Sequence, residues 1–203
     1  MKKYEDYTKT NEAFIFELDN VLYPEKDYQL QVYYLFAQFI EYGEQIDAQE
    51  ILHFMEETYF NEGKTDIFEK TATRFGLAEK YKINFDLLQQ NAKLPLKLLL
   101  FAPVLDFLKE IRDAGKFIFL LVEGDPAQQL NKIKQIEWNG LEQSLIVYFS
   151  AETISGSFED TLDMIILKHE LKREEVLACQ ASLKKHGTAA SGQIKFLPID
   201  KII

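Results

Sequence analysis

The sequence has a single cysteine and no long apolar run. The first feature excludes an internal disulfide, and the second argues against a membrane-spanning segment. The single cysteine, Cys179, cannot form an internal disulfide. It lies in an apolar run, where a free cysteine is usually a small core residue. If it were instead a nucleophile it would need a nearby histidine, and His186 is the only histidine close to it in sequence. No run approaches the ~20 apolar residues that span a bilayer, and the polar N-terminus lacks the apolar segment of a signal peptide. We therefore expect a cytoplasmic protein with no membrane partner.

Basic residues are also scarce. The chain has 23 basic and 33 acidic residues, which gives a formal net charge of −10. A surface of this sign repels phosphate backbones, so we expect no nucleic-acid partner. Hydrophobic residues make up 47 % of the chain, with 16 Phe and 10 Tyr, which predicts a well-filled core. A length of 203 residues suits one large domain, or a core with a smaller inserted cap.

Five short runs are nearly continuous in apolar residues, as is typical of strands buried on both faces of a parallel sheet. They cover residues 13–18, 116–122, 144–149, 175–180 and 194–199. Helical patterns lie between the later runs. The strand–helix alternation predicts an α/β fold, a Rossmann-like parallel sheet of about five strands flanked by helices with right-handed crossovers.

The helix after the second run has clear start and stop signals. Asp125 is a predicted N-cap and Pro126 occupies the first helical position, while Asn139 and Gly140 end the segment. We expect the apolar residues of this helix, Leu130, Ile133 and Ile136, to face inward.

Residues 22–97 depart from the alternation, since they read as helices with no strand among them. We predict a core of residues 1–21 and 98–203 and an all-helical cap of residues 22–97 inserted after the first strand. An aromatic stripe near its start is either core packing or a binding surface, and it comprises Tyr28, Tyr33, Tyr34, Phe36 and Phe39.

The carboxyl ends of parallel strands meet at one sheet edge, where ligands bind at the switch point. Residues 17–21, 122–125, 151–157 and 180–185 are predicted to meet there. A cap inserted after the first strand would close over the same edge, so the topology indicates a single location for a site.

Three stretches resemble the motifs of haloacid dehalogenase-type (HAD) hydrolases with a helical cap. They are FIFELDNVLYP, FLLVEGDPAQQLNKIKQIEWNGLE and LKREEVLACQAS, and the similarity covers nearly the whole chain. The resemblance implies a phosphatase-type site. Active members use an Asp nucleophile with a second Asp as general acid/base, a Ser or Thr that binds the phosphoryl group, a Lys that balances charge, and an acid that helps to hold Mg²⁺.

The chain departs from that pattern at the reacting positions. Glu17 stands at the nucleophile position, Asp19 matches the second Asp, Val122 replaces the Ser or Thr, and Ala181 replaces the metal-binding acid. The Lys of the third motif is missing near residues 155–157. The extra methylene of Glu17 moves a carboxylate by about 1 Å, and a misplacement of that size costs on the order of 10²-fold in rate.

The resemblance therefore predicts an impaired or inactive HAD-like protein with a binding or regulatory role. The alternative is a Mg²⁺-dependent phosphatase with an atypical Glu17 and Asp19 site that acts on a small phosphorylated metabolite. A third possibility is a purely structural role for the cap.

We expect no cofactor, or Mg²⁺ at Asp19 alone. A salt bridge from Lys184 or Lys185 to Asp19 would replace the ion, unless these lysines are solvated. The predicted partner is a small phosphorylated metabolite or none.

Overall fold

The structure is a computed structural model, and it describes residues 4–181 and 194–203. The strands are β1 (Ala13–Phe16), β2 (Leu98–Leu99), β3 (Phe117–Val122), β4 (Ile136–Glu137), β5 (Leu145–Phe149), β6 (Val176–Gln180) and β7 (Lys195–Pro198). The helices are α1 (Glu5–Thr10), α2 (Glu25–Glu44), α3 (Ala48–Glu62), α4 (Ile67–Phe75), α5 (Tyr81–Asn91), α6 (Ala102–Asp113), α7 (Pro126–Gln135) and α8 (Phe158–Lys168).

Five parallel strands form the main sheet in the order β5–β3–β1–β6–β7. They match the five predicted runs to within two residues at each end, which confirms the predicted α/β fold class. The strands are apolar throughout because side chains alternate between two covered faces. Phe14 and Phe16 pack in one hydrophobic cluster, and Ala13 and Ile15 pack in another. The strands β2 and β4 pair separately and were not predicted.

The predicted start of helix α7 is a real cap, but its predicted end at Asn139 and Gly140 is wrong, because α7 ends at Gln135 and Ile136–Glu137 form β4. The Asp125 side chain accepts a hydrogen bond of 2.9 Å from the backbone N–H of Gln128, and Pro126 begins α7. Ser157 caps α8 in the same way through the N–H of Asp160. Cys179 is fully buried and burial raises the pKa of its thiol, in keeping with a core residue.

Helices α2 to α5, residues 25–91, form a block between β1 and β2 that we call the helical insert. No strand occurs in it, and it has a hydrophobic cluster that includes Tyr33, Phe36, Met55 and Phe85. Of the aromatic stripe, Tyr28, Tyr33 and Phe36 are buried while Tyr34 and Phe39 are partly exposed, so most of the stripe is core packing. The division into a core of residues 1–21 and 98–203 and a cap of residues 22–97 stays a prediction.

A chain of side-chain amides joins the insert to α7. Gln128 Nε2 donates to Gln89 Oε1 at 2.6 Å, and Gln89 Nε2 donates to Gln29 Oε1 at 3.0 Å. Close by, Asn131 Nδ2 donates to the carbonyl of Ala92 at 2.9 Å. We call the set of Gln29, Gln89 and Gln128 the amide seam.

Within residues 4–181 and 194–203, none of the helices is both long and apolar enough to cross a bilayer.

Candidate functional site

The order of the strands places the switch point between β1 and β6. The chain proceeds from β1 to β3 and β5 on one side of the sheet and then returns to β6 and β7 on the other. Glu17 directly follows β1, and Ala181 directly follows β6. The backbone N–H of Ala181 lies 3.5 Å from Glu17 Oε2, so the two ends meet as the topology predicts.

A tight turn after β1 carries Asp19. Asn20 has a left-handed backbone with φ of 60°, and Asp19 forms an isolated bridge with Tyr23. The Tyr23 hydroxyl donates to Asp19 Oδ1 at 2.6 Å. Burial, followed by the negative charge of Asp19, raises the pKa of Tyr23 far above its ordinary value. Tyr23 therefore remains a hydrogen-bond donor to one oxygen of Asp19.

The other oxygen of Asp19 is held by a lysine from α7. Lys132 Nζ lies 2.6 Å from Asp19 Oδ2, and the lysine side chain is 0 % exposed. The same ammonium lies 5.0 Å from the ring centroid of Tyr28, at the distance of a cation–π contact. A fully buried lysine is rare unless it is paired, and here the partner is the one carboxylate of the motif that matches the family pattern.

This pair corrects the expected orientation of α7. Leu130, expected to face inward, is 42 % exposed, whereas Gln129 and Lys132 are buried. Ile136 is buried as expected, just beyond the end of the helix, and Ile133 packs partly against the core. The inward face of α7 is polar because it borders the site, and a search for apolar periodicity alone does not detect such a face.

A lysine that the sequence analysis did not consider lies beside Asp19. The sequence pattern placed the charge-balancing lysine near residues 155–157, where none occurs. Lys132, ten residues after Val122, brings an ammonium to the first motif from a different helix.

A cleft of about 530 Å³ opens at this edge of the sheet, beside the insert. Its lining comprises Glu17, Asp19, Asn20, Glu25, Lys64, Glu123, Gly124, Gln128, Gln129 and Ala181. Lys64 of the insert pairs with Glu25 at the start of α2, at 2.5 Å. The cleft therefore has walls from the sheet, from α7 and from the insert.

A smaller cavity of about 60 Å³ lies deeper. It is lined by Glu17, Leu18, Asp19, Leu121, Val122, Glu123 and Gln129. Val122, at the position where the family has a hydroxyl, is 2 % exposed and belongs to the hydrophobic core. Valine has no hydrogen-bonding side-chain atom, so at this position the cavity wall offers no donor.

The predicted site residues Glu17, Asp19, Val122 and Ala181 all lie around the cleft or its deeper cavity. Residues 151–157, predicted to join them, do not line either space. Lys184 and Lys185, offered as partners of Asp19, lie outside the described residues. Glu123 belongs to the predicted stretch 122–125, and Gln129 is a lining residue that extends the predicted set.

The described residues do not fit a magnesium ion. Mg²⁺ requires near-octahedral oxygen ligands, but the ammonium of Lys132 already lies 2.6 Å from Asp19 Oδ2 and would repel a second cation there. Ala181 offers no side-chain ligand. Among residues 4–181 and 194–203, no group of three His, Cys, Asp or Glu side chains could hold a metal ion. The cationic group beside Asp19 is the ammonium of Lys132.

No protein-family model matches the sequence, and a comparison with curated proteins gives no significant match. Solved structures do match. A haloacid dehalogenase-like family hydrolase from Xanthomonas campestris superposes with a TM-score of 0.54 at 15% identity, over 94% of this chain and 83% of that one. A HAD family hydrolase from Deinococcus radiodurans, with bound phosphate and sodium, gives a TM-score of 0.54 at 14% identity, over 92% and 80%. A haloacid dehalogenase-like hydrolase from Burkholderia xenovorans gives 0.52 at 14% identity, over 93% and 84%.

This chain has the HAD fold. The likeness extends over most of the chain and confirms the resemblance seen in the motifs at the level of the fold. In the HAD fold observed here, the switch point carries an Asp–Lys pair at the end of β1. The roles that the family pattern implies for Glu17, Asp19, Val122 and Ala181 stay predictions.

Proposed function

We propose that this HAD-fold protein has lost ordinary Mg²⁺-dependent phosphatase chemistry and acts as a binding or regulatory protein through the cleft beside Asp19. The observation that carries the proposal is the buried ion pair between Lys132 and Asp19. The competing function is a phosphatase that uses Glu17 and Asp19 with Mg²⁺ on a small phosphorylated metabolite.

The ion pair supports the proposal because, together with Tyr23, it engages both oxygens of Asp19, whose family counterpart would have to act as an acid/base or bind a metal. A general acid/base must exchange a proton with the leaving group or with water, and a metal ligand must direct an oxygen at the ion. Here Oδ1 accepts from Tyr23 and Oδ2 accepts from Lys132, each at 2.6 Å. Each oxygen keeps a second lone pair, but a metal ion bound there would lie beside the Lys132 ammonium, and the two cations would repel each other.

Glu17 supports the same proposal from the nucleophile position. Its side chain is largely buried, with 6 % of the residue exposed, and one of its oxygens lies 3.5 Å from the N–H of Ala181. In-line attack on phosphorus needs the reacting atoms about 3–3.5 Å apart and aligned. A glutamate in place of an aspartate starts from a side chain one methylene longer.

The groups that would hold a phosphoryl oxygen are altered as well. Val122 has no hydroxyl to donate, and Ala181 has no carboxylate for a metal. Phosphoryl transfer depends on positioning and electrostatic stabilisation more than on covalent chemistry. Losing several of these groups together therefore removes most of the rate acceleration. The Deinococcus radiodurans hydrolase of the same fold has bound phosphate and sodium, and its substrate chemistry does not transfer to this chain at 14% identity.

The test is phosphate release from p-nitrophenyl phosphate and a panel of small phosphate esters in millimolar MgCl₂. We expect the wild-type chain to release phosphate at the background rate, and Glu17→Gln and Asp19→Asn to leave that rate unchanged. The matched control is Glu142→Gln, the same change at an exposed position outside the cleft. Turnover by the wild type that disappears in Asp19→Asn or Glu17→Gln proteins that circular dichroism shows to be folded, but not in Glu142→Gln, would establish the phosphatase instead.

A further inference from the structure

A groove lies between helices α2 and α5 of the helical insert and shares no lining residue with the cleft beside Asp19. Its volume is about 320 Å³. The apolar part of its lining consists of Phe39 of α2, Leu87 and Leu88 of α5, and Ala92, which directly follows α5. Two asparagines of α5 and Lys93 complete the lining, so within the described part of the chain no carboxylate lines this groove.

Further exposed apolar side chains lie beside the groove. Ile83 precedes Leu87 by four residues and therefore lies on the same face of α5. The backbone N–H of Leu96 donates to Gln31 Oε1 of α2 at 2.7 Å, which holds Leu96 against that helix. We call Phe39, Ile83, Leu87 and Leu96, all of them exposed, the apolar strip. The strip follows α5, whose 11 residues span about 16 Å, and a contiguous apolar surface of this kind marks an interaction site.

The chain around the strip is basic, although the protein as a whole is acidic. Residues 87–105 contain Lys93 and Lys97 and no Asp or Glu. Both lysines are exposed, and the ion pairs in the described part of the chain involve other lysines. Asp86, the acid next to Leu87, already pairs with Lys82 at 2.5 Å. The positive charge beside the strip is therefore available to a ligand that carries carboxylates.

We propose that the groove docks an amphipathic helix of a partner protein, with aliphatic side chains on one face and carboxylates beside them. The aliphatic face packs on the apolar strip, which is the helix-in-groove mode of recognition, and the carboxylates pair with Lys93 and Lys97. The inference goes beyond the proposed function and does not rest on it, because the groove and the cleft share no residue.

Charge decides against two other occupants of the groove. A second copy of the chain would use an isologous contact, in which the strip faces itself. Lys93 and Lys97 would then approach their own counterparts, with no carboxylate in residues 87–105 to pair with them. Two lysines also give little attraction to an anionic membrane, and the formal net charge of −10 opposes it.

The test is fluorescence anisotropy of a labelled synthetic peptide titrated with the full chain at low ionic strength. The peptide has about 16 residues, so that its helix covers the strip, with leucine at every third or fourth position and glutamate beside each leucine. The matched control peptide carries lysine in place of each glutamate. We expect the glutamate peptide to bind and the lysine peptide not to bind, and added sodium chloride to weaken the binding.

Variants of the strip locate the binding surface. Leu87→Ser should weaken binding of the glutamate peptide about tenfold through the loss of a buried aliphatic contact, and Lys93→Gln about threefold through the loss of an exposed ion pair. Leu87 is 52 % exposed, so the substitution leaves the insert folded, which circular dichroism checks. The controls Leu167→Ser and Lys201→Gln, both at exposed positions outside the groove, leave the affinity unchanged.

Absent binding of the glutamate peptide, or binding that a folded Leu87→Ser protein retains at full strength, contradicts the inference. Equal binding of the lysine peptide contradicts it as well. Binding of phosphatidylserine vesicles that Leu87→Ser abolishes would assign the strip to a membrane instead, and a dimer in sedimentation velocity that Leu87→Ser dissociates would assign it to a second copy. The phosphate-release assay tests the proposed function alone, so each of the two proposals can fail without the other.

Discussion

Helix α7 has two polar faces whose chemistry differs. Towards the sheet, Lys132 forms the buried ion pair with Asp19, which also accepts from Tyr23. Towards the insert, Gln128 begins the neutral amide seam through Gln89 to Gln29. Both faces join segments that are distant in sequence. One joins them with opposite charges in the interior, and the other joins them with amides of which Gln29 is buried and Gln89 and Gln128 are partly exposed.

The difference has a direct energetic consequence. Removing one partner of a buried ion pair leaves a charge without compensation, which is far more costly than the net value of the intact pair. Removing one amide of a partly exposed seam leaves groups that water can reach, and the loss approaches the net value of a hydrogen bond. The ion-pair face therefore specifies one arrangement of the site, whereas the seam tolerates change.

The largest expected effect is on the ion pair. Lys132→Met and Asp19→Asn should each lower the free energy of unfolding by about 3–5 kcal/mol, because each leaves a buried polar or charged partner without compensation. The double variant should lose clearly less than the sum, since no charge is then left unpaired. Urea denaturation measures all three, with Lys134→Met on the exposed side of the same helix as the matched control. Strictly additive losses would contradict the pair.

The next effect concerns the tyrosine on the other oxygen of Asp19. Tyr23→Phe removes the 2.6 Å hydrogen bond to Oδ1 and leaves the ring in place. We expect a loss of about 1.5–3 kcal/mol, the value of a hydrogen bond to a charged group. Tyr42→Phe, the same change on an exposed side chain, is the control. Equal melting temperatures for Tyr23→Phe and Tyr42→Phe would refute the importance of this bond.

A smaller effect is expected in the amide seam. Gln128→Ala removes the 2.6 Å bond to Gln89 and should cost about 1 kcal/mol in unfolding free energy. Amide hydrogen exchange in α5 should become faster, because the seam ties this helix to α7. Gln143→Ala, on an exposed position, serves as the control. A loss as large as that of Lys132→Met would remove the contrast between the two faces.

The smallest expected effect on stability concerns His169, which lies outside both polar faces of α7. Its Nε2 lies 2.8 Å from the Tyr148 hydroxyl, and burial, followed by the charge of Lys168, lowers the pKa of the imidazole below its ordinary 6.5. Protonation then favours the unfolded chain, so this contribution to stability is complete above about pH 6.5 and falls as the pH drops below it. Proton NMR titration should give a midpoint below 6.5. A midpoint above 6.5 would show that a negative partner dominates instead.

The sheet was predictable from the sequence because its strands are buried on both faces, which leaves continuous apolar runs. The location of the site also followed, since the ends of parallel strands meet at one edge. Lys132 was not predictable in this way. It lies on a helix face made of Gln129 and Lys132, and apolar periodicity assigned Leu130 to that face instead. Only the three-dimensional arrangement shows that an ammonium on α7 reaches the carboxylate after β1.

Short elements were missed for a simpler reason. The strands β2 and β4 have two residues each, and α1 has six, so none of them presents a full period of a pattern. The topology placed residues 122 and 181 at the sheet edge, but only the resemblance to a family singled out Val122 and Ala181, because a valine or alanine at a strand end carries no chemical signal of its own.

The most direct test of the account is a crystal structure of the wild-type chain grown in millimolar MgCl₂. The account predicts the ammonium of Lys132 within hydrogen-bond distance of Asp19 Oδ2, with the Tyr23 hydroxyl on Oδ1 and no ion between them. A six-coordinate ion with oxygen ligands at about 2.0–2.1 Å, one of them from Asp19, and with Lys132 displaced from the carboxylate, would contradict it.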